Sequence, residues 1–301
     1  MTRIAFATAN EALPLDADMP PLLAACAAVG LDAEPVCWDD PGVNWEDYDA
    51  VVLRSTWDYV PRLPRFLLWK SLVAQRTRLF NPPDLVRWSC DKHYLSDLAR
   101  ANVPITPTRF VEPGDDVRLA LEDALAGRFE GGSVGHFDEI VTKPAVGAGS
   151  KDALRVHRRD AGRARLQVER LLAEGRSALL QPYLGAVDEH GETAMIYIDG
   201  RFSHAIRKGP LLRPGGLAEG LFAAEDIRVR EPTKDEGRVA KMAFNAIPGP
   251  VPLYARVDLL RGTDGQPVVL ELELVEPSLF FDHAPGSAQR FVGALVERLA
   301  S

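Results

Sequence analysis

Apolar and acidic residues alternate near the C-terminal end of the chain, over residues 268–275. This period of two predicts a β-strand, and side chains two positions apart in a strand point to the same face, so Glu271 and Glu273 share one. A second predicted strand, residues 253–260, carries Asp258. Neighbouring carboxylates repel each other, and a set of three suits Mg²⁺. A solvent-facing acidic edge strand is the alternative that the pattern alone leaves open.

The N-terminal residues, 1–82, alternate short apolar strands with a helix. Strands are predicted over residues 4–7, 35–38 and 50–54, and a helix that begins at proline and ends at glycine over residues 20–30. This order predicts a doubly wound α/β unit, in which ligands bind beyond the carboxyl ends of the strands. Because no Gly-x-Gly-x-x-Gly follows the first strand, a dinucleotide site is not expected.

A polar segment follows the third of these strands. It consists of Arg54, Ser55, Thr56, Trp57, Asp58 and Tyr59. A cation and a carboxylate in one turn suit a small zwitterion, with Arg54 on its carboxylate and Asp58 on its amine. An ordinary polar turn, with Trp57 packed on the core, is the alternative. His283, in the loop over residues 277–283, is a further candidate for the substrate cleft.

The middle of the chain, residues 83–183, places two lysines where an anion can bind. Lys92 lies in the first turn of a helix predicted over residues 89–101, where the helix dipole disfavours a cation that has no anionic partner. Lys143 lies near the end of a strand predicted over residues 139–144, and a glycine-rich hairpin turn follows. The candidate anion-binding residues of that turn are Gly147, Gly149 and Ser150. A solvated lysine and a simple turn remain open as alternatives.

The last part of the chain, residues 184–301, predicts a hairpin followed by a long loop. The hairpin strands are predicted over residues 192–198 and 201–207, with Arg207 and Lys208 at the end. Glycine and proline are frequent over residues 209–220, which predicts a mobile lid. Helices are predicted over residues 235–246 and 287–299.

Composition limits the partners of this protein. Its 301 residues indicate two or three packed units, and its net charge of -8 argues against nucleic acid as a partner. Three cysteines without metal-ligand spacing predict a reduced, cytoplasmic protein. No apolar run has the length of a signal-peptide core or a membrane span, so no membrane partner is expected. A homodimer stays open.

In this order along the chain, these features resemble the ATP-grasp ligases, in particular their glutathione-synthetase-like branch. The resemblance covers nearly the whole chain and implies an α/β (α+β) fold in three parts. These are an N-terminal doubly wound α/β domain over residues 1–82, a central lid-like α+β subdomain over 83–183 and a C-terminal α+β domain over 184–301. It also implies that ATP and Mg²⁺ are the cofactors.

The resemblance assigns site residues by position. The implied ATP-binding residues are Lys92, Lys143, Gly147, Gly149, Ser150, Gln181, Pro182, Tyr183, Leu184 and Glu192. The implied metal ligands are Asp258, Glu271 and Glu273. This chain departs from the family at Glu273, where relatives often have Asn, and at Ala194, where they often have Arg. Three basic residues can replace that arginine and are the catalytic candidates: Arg207, Lys208 and Arg256.

The N-terminal half is most similar to the O-ureido-serine cyclo-ligases of cycloserine biosynthesis. The matching segments are residues 5–8, 13–16, 38–40 and 54–59. This similarity implies a small amino-acid-like substrate whose carboxylate is activated as an acyl phosphate, after which a C–N bond closes a ring and ADP and phosphate leave. Two alternatives stay open: an intermolecular carboxylate–amine ligase of the peptide or glutathione type, and a nucleotide-binding regulator without catalysis.

Overall fold

The computed structural model describes residues 1–130, 135–213 and 226–301, together with the backbone of Gly132 and Ser133. The strands are β1 (Arg3–Thr8), β2 (Asp32–Cys37), β3 (Ala50–Leu53), β4 (Arg78–Phe80), β5 (Arg109–Val111), β6 (Arg128–Phe129), β7 (Gly132–Ser133), β8 (Glu139–Pro144), β9 (Leu154–His157), β10 (Ala178–Pro182), β11 (Glu192–Ile198), β12 (Arg201–Lys208), β13 (Ile227–Val229), β14 (Tyr254–Arg261) and β15 (Pro267–Glu273). The helices are α1 (Met19–Ala28), α2 (Leu63–Arg76), α3 (Pro83–Ser89), α4 (Tyr94–Arg100), α5 (Val117–Leu125), α6 (Ala161–Ala173), α7 (Val187–His190), α8 (Lys234–Asn245) and α9 (Ser287–Ala300). Most of the predicted lid, residues 214–220, lies outside the described residues.

The N-terminal sheet is parallel, with the strand order β2-β1-β3-β4. Its central strands, β1 and β3, are almost entirely buried, as expected for a parallel sheet that is covered on both faces. Phe6 on β1 packs with α1, and the Trp38 and Phe66 rings meet edge to face at 5.3 Å beside β3. The doubly wound α/β unit predicted from the sequence is therefore confirmed.

The central sheet is antiparallel, with the strand order β5-β10-β8-β9. Helices α5 and α6 contact its strands and each other. Buried Leu121 of α5 and Val168 of α6 share one hydrophobic core with Leu180 of β10. This packing fixes the hairpin of β8 and β9, which carries Lys143 and the glycine-rich turn.

The C-terminal sheet has five strands in the order β13-β12-β11-β14-β15, all antiparallel. Helix α8 packs on β14 and β15, and α9 packs on α1 of the N-terminal unit. The pairing of β14 with β15 sets Asp258 opposite Glu271 and Arg256 opposite Glu273. In the described residues, the three parts of the predicted α/β (α+β) fold are thus built around one parallel and two larger antiparallel sheets, with β6 and β7 as a further antiparallel pair. The boundaries of the parts at residues 82 and 183 stay a prediction.

The helix predicted over residues 89–101 was wrong in one respect. Two helices occupy this region, because α3 ends at Ser89 and α4 begins at Tyr94. The Ser89 hydroxyl does not cap a helix; it accepts a hydrogen bond from the Leu274 N–H at 3.1 Å. Lys92 lies in the turn between α3 and α4, and its N–H donates to the Ala145 carbonyl at 2.9 Å. The turn is thereby tied to the β8–β9 hairpin.

No helix in the described part of the chain is both long and apolar enough to cross a membrane.

Candidate active site

A cavity of about 430 Å³ lies where the three parts of the chain meet. Its walls come from the turn between α3 and α4, the β8–β9 hairpin, the end of β10, strands β11, β12, β14 and β15, and the segment after β3. Polar side chains at strand ends face an apolar pocket here, which is the usual composition of a small-molecule site. Gly209, Pro210, Leu211 and Leu212, at the start of the predicted lid, belong to the wall.

Three carboxylates converge at one side of the cavity. Asp258, Glu271 and Glu273 each offer one oxygen, and these oxygens lie within 4.8 Å of one another. The cause is the β14–β15 register, which brings Asp258 opposite Glu271 while Glu273 lies two positions further along the same face. Asp258 is buried, whereas the side chains of Glu271 and Glu273 are 22% and 29% exposed. A set of carboxylate oxygens is the donor chemistry that Mg²⁺ prefers, so these residues fit the ion.

Two cations hold the deepest of these acids. The Arg256 guanidinium donates to Asp258 at 2.8 Å and to Glu273 at 2.6 Å, and its Nη1 donates to the Ser278 carbonyl at 3.1 Å. Lys208 donates to Asp258 at 3.0 Å. Burial raises the pKa of Asp258, but the nearby charges of Arg256 and Lys208 outweigh burial and the pKa is lowered. Asp258 is therefore held in its ionised form.

The two lysines predicted to bind phosphate meet at Glu271. Lys143 donates to Glu271 at 2.8 Å, and the Lys92 ammonium lies 3.8 Å from the same carboxylate. Lys92 also donates to the Gly147 carbonyl at 3.1 Å. Burial raises the pKa of Glu271, but the charges of Lys143 and Lys92 lower it well below its usual range. Lys143 and Glu271, which are 128 residues apart in sequence, are thereby joined in the cavity.

The glycine-rich turn and the end of β10 form the opposite part of the wall. Gly147, Gly149, Ser150, Gln181, Pro182, Tyr183 and Leu184 all line the cavity. Gly149 and Ser150 both have positive φ angles, of 60° and 57°, a backbone conformation that favours glycine. The Arg155 guanidinium lies 3.4 Å from the centre of the Tyr183 ring, whose hydroxyl donates to Asp188 at 2.5 Å.

Strand alternation separates the two basic residues at the end of β12. Glu192 and Lys208 are paired across β11 and β12, both line the cavity, and they form an ion pair. Burial raises the pKa of Glu192 to about 8. The structure corrects the placement of Arg207, which points to the other face and donates to the His190 carbonyl at 3.0 Å and to the Glu189 carbonyl at 3.1 Å. Lys208 and Arg256, but not Arg207, are thus brought to the described cavity wall.

Most of the predicted substrate segment is also placed elsewhere. Arg54 is buried and pairs with Asp18 at 3.1 Å. Asp58 accepts a hydrogen bond from Trp38 Nε1 at 2.7 Å and pairs with Arg62. Neither Arg54 nor Asp58 belongs to the described cavity wall, so the structure does not bring them to this cavity, and their role in substrate binding stays a prediction.

The other substrate candidates also differ in whether they line the cavity. Ser55 and Thr56 are fully buried, and the Ser55 hydroxyl is hydrogen-bonded to that of Thr8 at 2.7 Å. His283 is not part of the described wall either, which corrects its predicted place in the cleft. Tyr59 does line the cavity, together with Trp57, for which the sequence had left core packing open as the alternative. The aromatic residues of the segment, rather than its charged ones, face the site.

Glu276 is the functional candidate that sequence reasoning missed. It lines the cavity, its carbonyl accepts a hydrogen bond from Trp57 Nε1 at 2.9 Å, and its carboxyl lies near the hydroxyl of Tyr59. Burial and the neighbouring charge of Glu273 raise the pKa of Glu276 to about 8, although Tyr59 acts in the opposite direction. A signal was present, because Glu276 continues the run of acids that begins at Glu271.

Carboxylates on two antiparallel strands, lysines beside them and a glycine-rich hairpin across the cavity define an ATP-grasp ligase. The solved structure of D-alanine–D-alanine ligase from Bacillus anthracis complexed with ATP has this fold. It matches with a TM-score of 0.68 at 14% identity and covers 100% of this chain and 98% of that chain. The expected fold class is therefore confirmed.

Three further comparisons narrow the class to a family. The chain is 45% identical to the cycloserine biosynthesis protein DcsG of Streptomyces lavendulae, over 98% of each sequence. It matches the crystal structure of D-cycloserine synthetase DcsG with a TM-score of 0.89 at 42% identity, over 99% of each chain. A family model of the N-terminal domain of D-cycloserine synthetase DcsG matches residues 4–81. The chain belongs to the DcsG family of ATP-grasp ligases, which confirms the resemblance found in the sequence.

Proposed function

We propose that this protein uses ATP to cyclise O-ureido-D-serine to D-cycloserine, with release of ADP and phosphate. The observation that carries the proposal is the similarity to D-cycloserine synthetase DcsG, which extends over the whole chain in sequence and in fold. The cavity supports it, because about 430 Å³ contains cations for a triphosphate and a polar wall for one small zwitterion. A single compact substrate also fits a reaction in which both reacting groups belong to one molecule.

In this reaction the substrate carboxylate attacks the γ-phosphorus of ATP, and ADP leaves. The ureido nitrogen that is bonded to oxygen then attacks the carbonyl carbon of the acyl phosphate, loses its proton and expels phosphate. This step closes the five-membered isoxazolidinone ring. Water then attacks the carbamoyl carbon, the bond from that carbon to the ring nitrogen breaks, and the ring nitrogen takes up a proton. Cycloserine is left, and the released carbamate decomposes to carbon dioxide and ammonia. A free carboxylate is a poor electrophile, so phosphorylation supplies the leaving group that the ring closure needs.

Residues of the cavity take separate roles in this proposal. Lys92 and Lys143 bind the ATP phosphates under the turn that contains Gly149, and the end of β10 binds the adenine. Asp258, Glu271 and Glu273 would hold Mg²⁺, which neutralises charge that develops on the phosphates. Arg256 and Lys208 stabilise negative charge at the transferred phosphoryl group, because both are cations beside those acids. Glu192 is the candidate for the ribose hydroxyls.

The test is product analysis with ATP, Mg²⁺ and O-ureido-D-serine as the sole acceptor. We expect D-cycloserine by mass spectrometry and one ADP for each ring closed. Glu271→Gln serves as the matched control, since it keeps the size of a cavity side chain and removes its charge. Release of ADP that requires a separate amine would point to an intermolecular ligase instead, and release of AMP would contradict the acyl phosphate.

A further inference from the structure

One carboxylate of the cavity has a different kind of partner from its neighbours. In the described part of the wall, Glu192, Glu271 and Glu273 each form an ion pair with a lysine or an arginine. Glu276 forms no ion pair among the described residues, and the hydroxyl of Tyr59, which lines the same cavity, lies near it. It is therefore the wall carboxyl group best suited to a positive charge from the substrate, because no internal cation has to be displaced there. Since its pKa is about 8 without substrate, the group gives up its proton when the ammonium binds.

Resting on the proposed function, we propose that Glu276 binds the 2-ammonium group of O-ureido-D-serine. In an amino acid the ammonium nitrogen and the carboxylate carbon share one carbon atom and lie roughly 2.5 Å apart. The group that holds the ammonium must therefore lie beside the carboxylate that is phosphorylated. Glu276 meets this requirement, since it follows Glu273 by three residues and lines the same cavity as Glu273 and Arg256.

The backbone around Glu276 is fixed by contacts with the N-terminal unit. Trp57 Nε1 donates to the Glu276 carbonyl at 2.9 Å. Three to five residues further on, the N–H groups of Leu279 and Phe281 donate to the buried Asp18 carboxylate at 2.5 Å and 2.8 Å. Contacts with distant residues at Glu276 itself and in the segment that follows it hold its position before substrate arrives, as a binding group requires.

The carboxylate that the sequence had suggested for the ammonium is not suited to it. Asp58 lies outside the described wall. One of its oxygens accepts from Trp38 Nε1 at 2.7 Å, and the other pairs with Arg62. Its hydrogen-bonding capacity is thus used within the N-terminal unit, and Glu276 takes over the role that the sequence analysis gave to Asp58.

The test compares Glu276→Gln with the wild type on two ligands: O-ureido-D-serine and its des-amino analogue, 3-(ureidooxy)propanoate. Dissociation constants are measured by calorimetry with a non-hydrolysable ATP analogue bound, and kcat/KM is measured for O-ureido-D-serine. We expect Glu276→Gln to weaken binding of the amino ligand and lower its kcat/KM by about 10- to 100-fold, the range for a hydrogen bond to a charged group. Binding of the des-amino ligand and of the ATP analogue should stay within about 2-fold, since a purely local change leaves them untouched.

Two further variants serve as controls for this test. Glu276→Asp keeps the charge on a shorter side chain and should recover part of the lost affinity. Glu297→Gln removes an exposed carboxylate from α9 and should change nothing. If the melting curve shows that Glu276→Gln does not fold, Glu276→Asp is compared with the wild type instead. This variant should bind O-ureido-D-serine somewhat more weakly and the des-amino ligand as well as the wild type does.

The possible outcomes separate this inference from the proposed function. If Glu276→Gln weakened the binding of both ligands equally, Glu276 would have a structural role or act as a general base for the ureido proton. Either result would overturn the inference. An unchanged affinity for the amino ligand would overturn it as well. In both cases the wild type still makes cycloserine, so the proposed function survives. A wild type that makes no cycloserine would overturn the proposed function, and with it the inference that rests on it.

Discussion

Asp258 is the acid of the cavity whose loss should cost the most stability. Its side chain is 1% exposed, and it accepts hydrogen bonds from Arg256 at 2.8 Å and Lys208 at 3.0 Å. Asp258→Asn keeps the shape of the side chain but removes the charge that both cations need. Removing one partner of a buried ion pair costs about 3 to 5 kcal/mol. That is a large part of the roughly 5 to 15 kcal/mol that keeps a typical protein folded.

Glu273→Gln is the matched comparison, because it removes a charge from the same cluster at a more exposed position. The Glu273 side chain is 29% exposed, and its partner Arg256 would keep its hydrogen bonds to Asp258. For such a pair we expect a cost of about 1 kcal/mol or less. The structure therefore predicts that two conservative changes in one cluster differ by several-fold in their effect on folding.

Urea denaturation followed by tryptophan fluorescence, without ATP or Mg²⁺, measures this difference. The free energy of unfolding should be about 2 to 4 kcal/mol lower for Asp258→Asn than for Glu273→Gln. The dependence of that free energy on urea should stay the same, since neither change alters the surface exposed on unfolding. If Asp258→Asn unfolds at the wild-type urea concentration, the charges of the cavity are well solvated and the buried network described above is wrong.

Three more changes separate metal, nucleotide and folding roles. Glu271→Gln should slow ADP formation at least about 100-fold through loss of metal binding, and a near-normal rate in a coupled assay would contradict the metal assignment. Lys143→Met should raise the calorimetric dissociation constant for ATP about 10-fold, whereas the exposed Lys234→Met should not; equal values would refute the phosphate role. Arg54→Ala should lower the melting temperature because it breaks a buried ion pair, and a normal melting curve with a raised KM would restore its predicted substrate role.

The sequence predicted the sheets better than the helices, for a physical reason. Buried strands such as β3 and β8 carry apolar runs or alternations that packing alone explains. Helix α2 was missed because a lysine, Lys70, lies among its buried positions and interrupts the apolar stripe. Helix α6 had a usable signal, since Ala164, Val168 and Leu171 recur at helical spacing and are all buried.

The sequence could predict those parts of the candidate site in which strand pairing decides which side chains lie together. Asp258, Glu271 and Glu273 could be grouped because alternation fixes the face of each side chain once two strands are adjacent. The same rule separates Lys208 from Arg207, but only if the register with β11 is known, and no local pattern supplies that register. The sequence could therefore identify Arg207 and Lys208 as a basic pair, but it could not show which of the two faces the cavity.

The segment after β3 shows what local sequence cannot contain. Its charged residues suit a zwitterion by chemistry, yet their partners lie far along the chain: Arg54 pairs with Asp18, and Asp58 is bound by Trp38. These contacts direct the charged side chains toward the N-terminal unit, whereas Tyr59 faces the cavity. Side-chain direction in a loop depends on such tertiary contacts, so residue type alone could not show that these charged side chains do not line the cavity.

The ion pairs of the cavity also bear on how its ligands bind. Lys143 and Lys92 both face Glu271, which is buried enough that an unpaired charge there is costly. Glu271 can release these lysines to ATP phosphates at low cost only when another cation replaces them. In the proposed reaction that cation is the Mg²⁺ that arrives with the nucleotide. Nucleotide and metal should therefore bind with positive coupling, and by linkage each should raise the affinity for the other by the same factor.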